Sequence, residues 1–387
     1  MTVYLDHNAT APLPEAVREA VLPWLGERWG NPSSVHRLGR QARAALDRAR
    51  EQVAALAGAS AGQVVFTSGG TEANNLALLG VAGAWERARG RPGTVAVSAV
   101  EHASVLAAAA ALERRGWRVR RLPVDGEGRL REEGLEEALG DPDLALVSVM
   151  AANNETGVLQ DLEAVTARAR GRGVPVHSDA VQAAGKVPLD FAGSGLSLLS
   201  LSAHKIGGPK GAGALVVHPG LEVEPLLHGG GQERGLRGGT EAVPALVGFG
   251  AAAELAREAL AERAAALAGL RELLEAGLRR ALPEAVVAGA GAPRVPNTCL
   301  FAVPGVDGEA LVLALDQMGY CLSSGSACES GSGEPSHVLL AMGWPEELAR
   351  CAVRASLGPG NDRAQVEAFL ADLPRAVEGL RRRVAFL

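Results

Sequence analysis

The chain has 387 residues, 47% of them hydrophobic and only 3% aromatic, with 38 basic against 44 acidic side chains and a formal net charge of −6. This composition describes a folded globular chain rather than a disordered or fibrous one, and its length predicts two domains with enough core to need neither disulfide nor structural metal. A mildly acidic total without blocks of like charge excludes the electrostatic footprint of a nucleic-acid or anionic-membrane binder, which leaves small molecules and proteins as partners.

The first residues, Met1-Thr2-Val3-Tyr4-Leu5-Asp6-His7, lack a basic region followed by an apolar run. No stretch reaches the roughly 18 uninterrupted apolar residues of a membrane span, so a cytoplasmic protein is expected. Across residues 34–57 apolar side chains recur at Val35, Leu38, Ala42, Ala45, Leu46, Ala49, Val53 and Leu56, the spacing of a helix with one face in the core. Short apolar runs then alternate with helical stretches at residues 64–67, 95–97, 145–149, 174–177, 196–202 and 214–217. Continuous apolar strands of this kind predict an α/β fold, with a mostly parallel sheet sandwiched by helices. Residues 243–282 are rich in Ala, Leu, Glu and Arg and predict a long helix or a kinked pair leaving the sheet. A strand at 298–303, a helix at 309–318, a short strand into Cys321 and a terminal helix from Arg363 then predict a smaller α+β domain. The expected division is an N-terminal segment, 1–13, associated with the small domain, a large domain over 14–250 and the small domain over 251–387.

The four cysteines, Cys299, Cys321, Cys328 and Cys351, form no C-x-x-C pair and have no zinc-finger spacing to histidine, so free thiols and no metal site are expected. All but three of the 38 basic residues are arginine, which leaves Lys186, Lys205 and Lys210 as candidates for lysine chemistry. Lys186 and Lys210 sit near plain turn signals. Lys205 follows an apolar strand in Ser202-Ala203-His204-Lys205-Ile206-Gly207-Gly208. A lysine there can form a Schiff base while hydroxyl, imidazole and backbone N–H groups hold a phosphate, a pattern that pyridoxal phosphate fits. An exposed lysine in a glycine-rich turn would read the same way from this segment alone.

Other candidates follow neighbouring strands. Asp179, in His177-Ser178-Asp179-Ala180-Val181-Gln182, could keep a pyridinium nitrogen protonated or simply cap a helix. Phe66-Thr67-Ser68-Gly69-Gly70-Thr71 reads as strand, glycine turn and helix start, which is anion-binding geometry, although Thr71 could be only a cap. His102 and Asn153-Asn154-Glu155 follow further strands onto the same sheet edge, where ligands of open α/β sheets bind. His102 could stack on a cofactor and move protons, or serve as a structural hydrogen-bonder. Cys328 lies in the Ser/Gly-rich run 323–333, where a thiol can act as a nucleophile, whereas Cys299 and Cys351 have the apolar settings of packing residues. Arg354 interrupts an apolar strand and suits either bidentate carboxylate capture or a surface ion pair.

Taken together these residues resemble the cysteine desulfurases, pyridoxal-phosphate enzymes of the class-V aminotransferase group, and the resemblance runs over nearly the whole chain. It is carried by Tyr4-Leu5-Asp6-His7-Asn8-Ala9-Thr10, Gly30-Asn31-Pro32-Ser33-Ser34-Val35-His36, Thr67-Ser68-Gly69-Gly70-Thr71-Glu72-Ala73-Asn74-Asn75, Glu101-His102, Asn153-Asn154-Glu155-Thr156-Gly157, His177 to Gln182, Ser202 to Lys205, Arg237-Gly238-Gly239-Thr240, Ser323 to Cys328 and Arg354-Ala355-Ser356-Leu357-Gly358, in the family's order. The resemblance implies a fold-type I transferase and a homodimer. It implies that Lys205 carries the cofactor, Asp179 pairs with the pyridinium nitrogen, Gln182 contacts the ring hydroxyl oxygen and His102 stacks on the ring. The phosphate would lie on the Gly70 turn against Thr71, Ser202 and His204, joined by Thr240 of a second subunit. Asn154, beside the cofactor, and Arg354 would bind L-cysteine. Cys328 would receive sulfur and pass it to an acceptor, an iron–sulfur scaffold or a thiolation protein. Two features depart from the family pattern: Glu329 stands where a small hydroxyl residue is common, and the chain ends at Leu387 without the extension close relatives use to dock a scaffold. An aminotransferase or selenocysteine lyase would share Lys205, Asp179 and His102, and a non-catalytic subunit would share only the fold, but Lys205 together with Cys328 favours desulfuration.

Overall fold

The computed structural model describes residues 2–325 and 334–384, so Cys328 and Glu329 lie outside the described residues. In chain order the elements begin with β1 (Val3–Tyr4), α1 (Glu15–Leu25), α2 (Arg37–Ala57), β2 (Val64–Thr67), α3 (Gly70–Arg89), β3 (Thr94–Ser98), α4 (Ala103–Arg114) and β4 (Arg118–Leu122). They continue with α5 (Glu132–Leu139), β5 (Leu144–Ser148), α6 (Leu162–Arg170), β6 (Val176–Asp179), α7 (Phe191–Ser194), β7 (Leu198–Ser202), β8 (Gly213–Val217), α8 (Val243–Glu258) and α9 (Leu260–Ala281). The rest are β9 (Val286–Val287), β10 (Thr298–Ala302), α10 (Gly308–Gln317), β11 (Tyr320–Cys321), β12 (Ser323–Ser324), α11 (His337–Ala341), α12 (Glu346–Ala349), β13 (Ala352–Ser356) and α13 (Arg363–Val384).

Seven strands form the main sheet in the order β2-β8-β7-β6-β5-β3-β4. β8 runs antiparallel to β2 and β7, and every other pair is parallel. Six strands therefore point the same way and end at one edge, where an open α/β sheet places its ligand. The strands β2, β3, β5, β6, β7 and β8 are buried along their whole length, which is why they read as continuous apolar runs. The outer strand β4 escapes that reading. Its sequence is Arg-Val-Arg-Arg-Leu, a charged edge that resists pairing with another chain, and Arg118 and Arg120 reach Asp141 and Glu137.

The sequence between 243 and 282 forms two helices, α8 and α9, separated at Ala259 by a non-helical ψ of 5°. α9 then packs with α10 and α13 over a four-stranded antiparallel sheet, β12-β13-β10-β9, around Leu274, Phe301, Leu311 and Phe369. β1 pairs in parallel with β11, and Asp6 bridges to Ser356, so the first residues join the smaller sheet. The next residues, Asn8 to Thr10, run past the turn after β7, so one segment touches both layers. Among the described residues no helix is long and apolar enough to cross a membrane, and no cluster of side chains suits a metal ion.

Candidate active site

Each candidate from the main sheet sits just past, or at the end of, a strand that terminates at the shared edge. Gly70 and Thr71 follow β2, His102 follows β3, Asn154 follows β5, Asp179 and Gln182 close β6, and Ser202, His204 and Lys205 close β7. Register confirms the row, since Asp179 pairs with Ser200 and Ser202 pairs with Gly213, which also faces Thr67.

Hydrogen bonds tie these positions into two chains. In the first, Asn74 of α3 donates to Asp179 Oδ2 at 2.7 Å and to Ser104 Oγ at 2.9 Å, and Ser104 Oγ lies 2.8 Å from His102 Nδ1. The other Asp179 oxygen accepts from Val181 N at 2.9 Å, so the carboxylate is buried and held at both ends. His102 caps α4 by accepting from Ser104 N at 3.1 Å, so the structural role open to it in the sequence is present, on a ring that lies at the site edge. Burial lowers its proton affinity, opposed by the Asp179 charge and reinforced by Lys205 and His337. Beneath Asp179 on the same strand, His177 is enclosed between Ser148 Oγ and Ser200 Oγ, and burial pushes it down to about 4.

The second chain centres on Asn8. Lys205 Nζ donates to the main-chain oxygens of Asn8 at 2.6 Å and Ala9 at 2.8 Å. Gln182 Nε2 donates to the same Asn8 oxygen at 3.0 Å, and Lys186 Nζ donates to Gln182 Oε1 at 2.6 Å and Asn8 Oδ1 at 2.8 Å. Asn8 Nδ2 donates to Asn154 O at 3.1 Å, and that oxygen also accepts from Arg354 Nη1 at 3.1 Å. Arg354 is buried and its Nη2 meets Asp6 at 2.8 Å, so the surface ion pair open in the sequence is excluded and the guanidinium already has a carboxylate neighbour. His204 Nδ1 lies 3.2 Å from Thr10 Oγ1, and burial pushes this imidazole down to about 4.

The geometry around Gly70 suits an anionic, planar cofactor of the expected kind. A Cβ at Gly70 would fall 2.9 Å from Val181 Cγ2 and 3.5 Å from Ser202 Cβ, so glycine keeps open a cradle between α3, β6 and β7. The first N–H groups of α3 lack helical partners there, and such groups attract anions. Thr71 and Thr240 are exposed, and the segment leading to Thr240 is tied to α3 by Arg237 and Glu72 at 2.9 Å. A cavity of about 370 Å³ reaches Lys205 from another side, lined by His7, Pro14, Lys186 and Arg263 and not by Asp179 or His102.

Sequence reading passed over three parts of this site. Lys186, read as a turn residue, is buried, and it follows Gly185, whose φ of 69° is left-handed and where an added Cβ would fall 3.1 Å from Ile206 Cγ2. Glu101 is fully buried, accepting from Met150 N at 2.6 Å, and burial followed by the Asp179 charge raises its carboxyl well above the usual range. Asn74 joins Asp179 to the His102 cap, and an amide inside a helix-spaced stretch carries no local signal of such a role. Cys299 and Cys351 are buried free thiols and Cys321 is half-buried; Cys299 is pushed up to about 12 by burial, so it is inert as a nucleophile. Beside the undescribed 326–333, Ser323 Oγ donates to Asp6 Oδ1 at 2.8 Å on one side and Ser336 Oγ donates to Glu155 Oε2 at 2.5 Å on the other.

The family described as aminotransferase class-V matches residues 3–369. A cysteine desulfurase of Cereibacter sphaeroides is 46% identical over 381 residues, which covers 98% of this chain and 96% of that protein. A solved NifS-like protein superposes with a TM-score of 0.91 at 37% identity, covering 98% of this chain and all of the other. A solved SspA in complex with cysteine superposes with a TM-score of 0.81 at 34% identity, covering 92% and 99% of the two chains.

Proposed function

This chain belongs to the class-V aminotransferase family, and on that premise we propose that it is a pyridoxal-phosphate-dependent cysteine desulfurase, converting L-cysteine to L-alanine and passing the sulfur from Cys328 to an acceptor protein. The observation that carries this reading is the Lys205 amine, held on the Asn8 and Ala9 carbonyls at the same strand edge as Asp179 and His102. Relatives that share most of this chain's length support it, since they are cysteine desulfurases and one solved relative holds cysteine.

Class-V aminotransferases depend on pyridoxal phosphate, and here Gly70, Thr71, Ser202 and His204 would hold its phosphate, with Asp179 at the ring nitrogen, Gln182 at the ring hydroxyl and His102 over the ring. When bound, the cofactor supplies an electron sink that makes the substrate Cα proton removable. Lys205, as a neutral amine, takes that proton and returns one to the product. Arg354 and the Asn154 segment orient the substrate carboxylate, and His102 moves protons beside the ring. Cys328 then attacks the substrate sulfur: the Cβ–S bond breaks, an S–S bond forms, and protons returned to carbon complete L-alanine, leaving a persulfide on Cys328. An ordinary thiol with a pKa near 8.5 is only a few per cent ionised at pH 7, so the attack requires local assistance to form thiolate.

The persulfide serves iron–sulfur cluster or other thio-cofactor synthesis, in a cytoplasmic homodimer whose second subunit contributes Thr240 to the phosphate. The test is to incubate the protein with L-cysteine and a thiol reductant and to quantify sulfide and alanine. Equal yields are expected, both lost in Cys328→Ser while the cofactor's visible absorbance stays. Sulfide undiminished in that variant, or absorbance without sulfide in the wild type, would reject the reading in favour of a thiol-independent lyase or amino-group transfer.

A further inference from the structure

The cavity of about 370 Å³ lies where three parts of the chain meet: the N-terminal segment up to Pro14, the main-sheet layer at residues 184–186 and 205–207, and the smaller layer at residues 357–361. Among the described residues, Lys205 is the candidate site residue that reaches its wall, and Gly70, His102, Asp179, Ser202 and Arg354 do not. Most of that wall is apolar, contributed by Pro12, Leu13, Pro14, Leu255, Leu267 and Pro359. Small-molecule sites have this size and character, an apolar hollow between packed units with a few polar groups that fix orientation.

The polar groups on this wall include donors but no acid. Arg263 comes from the first turn of α9, and the break at Ala259 between α8 and α9 brings it to the cavity beside Leu255. Its helical neighbours at i−4, i−3, i+3 and i+4 are Ala259, Leu260, Ala266 and Leu267, so no carboxylate meets it along the helix. Nor does one reach it from another element. The half-buried guanidinium has no ion pair or hydrogen bond among the described residues, burial lowers its proton affinity with no charged group offsetting the effect, and no described Asp or Glu lines the cavity. Arginine keeps its charge in such a setting, and its planar fork of donors is matched by a carboxylate. His7, at 6% exposure, is a second unpartnered group on the wall: its Nδ1 has no hydrogen-bond partner among the described residues, and Gly358 leaves the ring edge bare, since a Cβ there would overlap it. Gln365 Oε1 accepts from Asn361 Nδ2 at 3.0 Å, which leaves its NH2 group as a further donor. Lys186 and Lys205 also line the cavity, and their amines donate to Gln182 and Asn8 and to the Asn8 and Ala9 carbonyls.

We propose that this cavity is a second ligand site, separate from the cofactor cradle, for a small organic monoanion whose carboxylate sits on Arg263 and whose apolar body lies among the proline and leucine side chains. Inorganic phosphate suits it poorly, because one guanidinium on an apolar wall balances one charge and a further buried charge is costly.

The test is a calorimetric titration of the holoprotein with benzoate, for the wild type, Arg263→Met and Arg263→Lys, with benzyl alcohol as the uncharged control and inorganic phosphate as the control without an apolar body. Circular dichroism and the cofactor's visible absorbance, matched to wild type, show that each variant is folded and loaded. The wild type is expected to take up one benzoate per chain. Affinity should fall by about tenfold or more in Arg263→Met, and by a smaller factor in Arg263→Lys, which keeps the charge without the fork. Benzyl alcohol should bind about tenfold more weakly than benzoate, and phosphate should not displace benzoate. Saturating L-alanine should leave benzoate affinity within about twofold, because Arg354 is not on the cavity wall. Equal benzoate affinity in the wild type and a folded Arg263→Met would overturn the proposal. So would displacement by L-alanine, which would move the anion to the substrate site, or the absence of saturable binding at millimolar benzoate.

Discussion

The guanidinium of Arg354 meets the carboxylate of Asp6 at 2.8 Å across 348 residues of sequence, joining the strand β13 to the segment that carries Asn8. The same Nη2 reaches Ser323 Oγ at 3.2 Å, and the buried Nε has no partner among the described residues. Asp6 therefore balances a charge that a substrate carboxylate would also seek. Asp6→Asn should leave Arg354 buried and under-compensated, with a stability loss of about 3–5 kcal/mol. If Arg354 binds the substrate carboxylate, L-alanine should raise the Tm of Asp6→Asn by more than it raises that of the wild type. Equal shifts in differential scanning calorimetry would remove Arg354 from substrate binding.

Gly70→Ala separates cofactor binding from folding. Alanine inside a helix start is favoured over glycine by up to about 1 kcal/mol, yet its Cβ would press on Val181 at 2.9 Å and narrow the cradle. The apoprotein should keep its thermal stability to within about 1 kcal/mol, while cofactor affinity by equilibrium dialysis falls at least tenfold. Affinity equal to wild type would place the phosphate elsewhere.

Acid should destabilise the fold through histidines kept neutral. His177, between two serine hydroxyls, is pushed down to about 4 by burial, and His7 and His204 to about 4 as well. Between about pH 6.5 and 4 the unfolded chain binds more protons at these sites than the folded one, so stability rises with pH across that window and is lost as pH falls through it. For His177 the loss is on the order of 3 kcal/mol. His177→Gln should have a flatter stability curve over this interval in urea titrations; an equally steep curve would assign acid sensitivity to other groups.

Glu101 works with the opposite sign. Burial, then the Asp179 charge, raises its folded pKa, so its contribution is complete below about pH 4.5 and fades as pH rises through the folded value. Glu101→Gln keeps an acceptor for Met150 N and removes the titration. From pH 6 to 9 it should lose less stability than the wild type, measured by chemical denaturation. A parallel decline in the two proteins would show that Glu101 is ionised in the native state.

Apolar runs made the interior strands of the main sheet legible, because a strand buried on both faces has no alternation to hide it. Glycine turns and polar residues after those runs placed Thr71, His102, Asn154, Asp179 and Lys205 at one edge, since parallel strands must all end there. The arginine-rich edge strand β4 was not legible, because it is buried on too few sides to require apolar residues. Nor was the shell around Lys205. Asn8, Lys186 and Asn297 meet there from positions far apart in the chain, and each looks locally like an ordinary polar residue. Residue type and order by themselves determined which groups are candidates to carry the chemistry. Only the tertiary structure decided which of them are charged, which are locked and which share an acceptor, because burial and hydrogen-bond geometry arise when distant segments pack and have no counterpart along the chain.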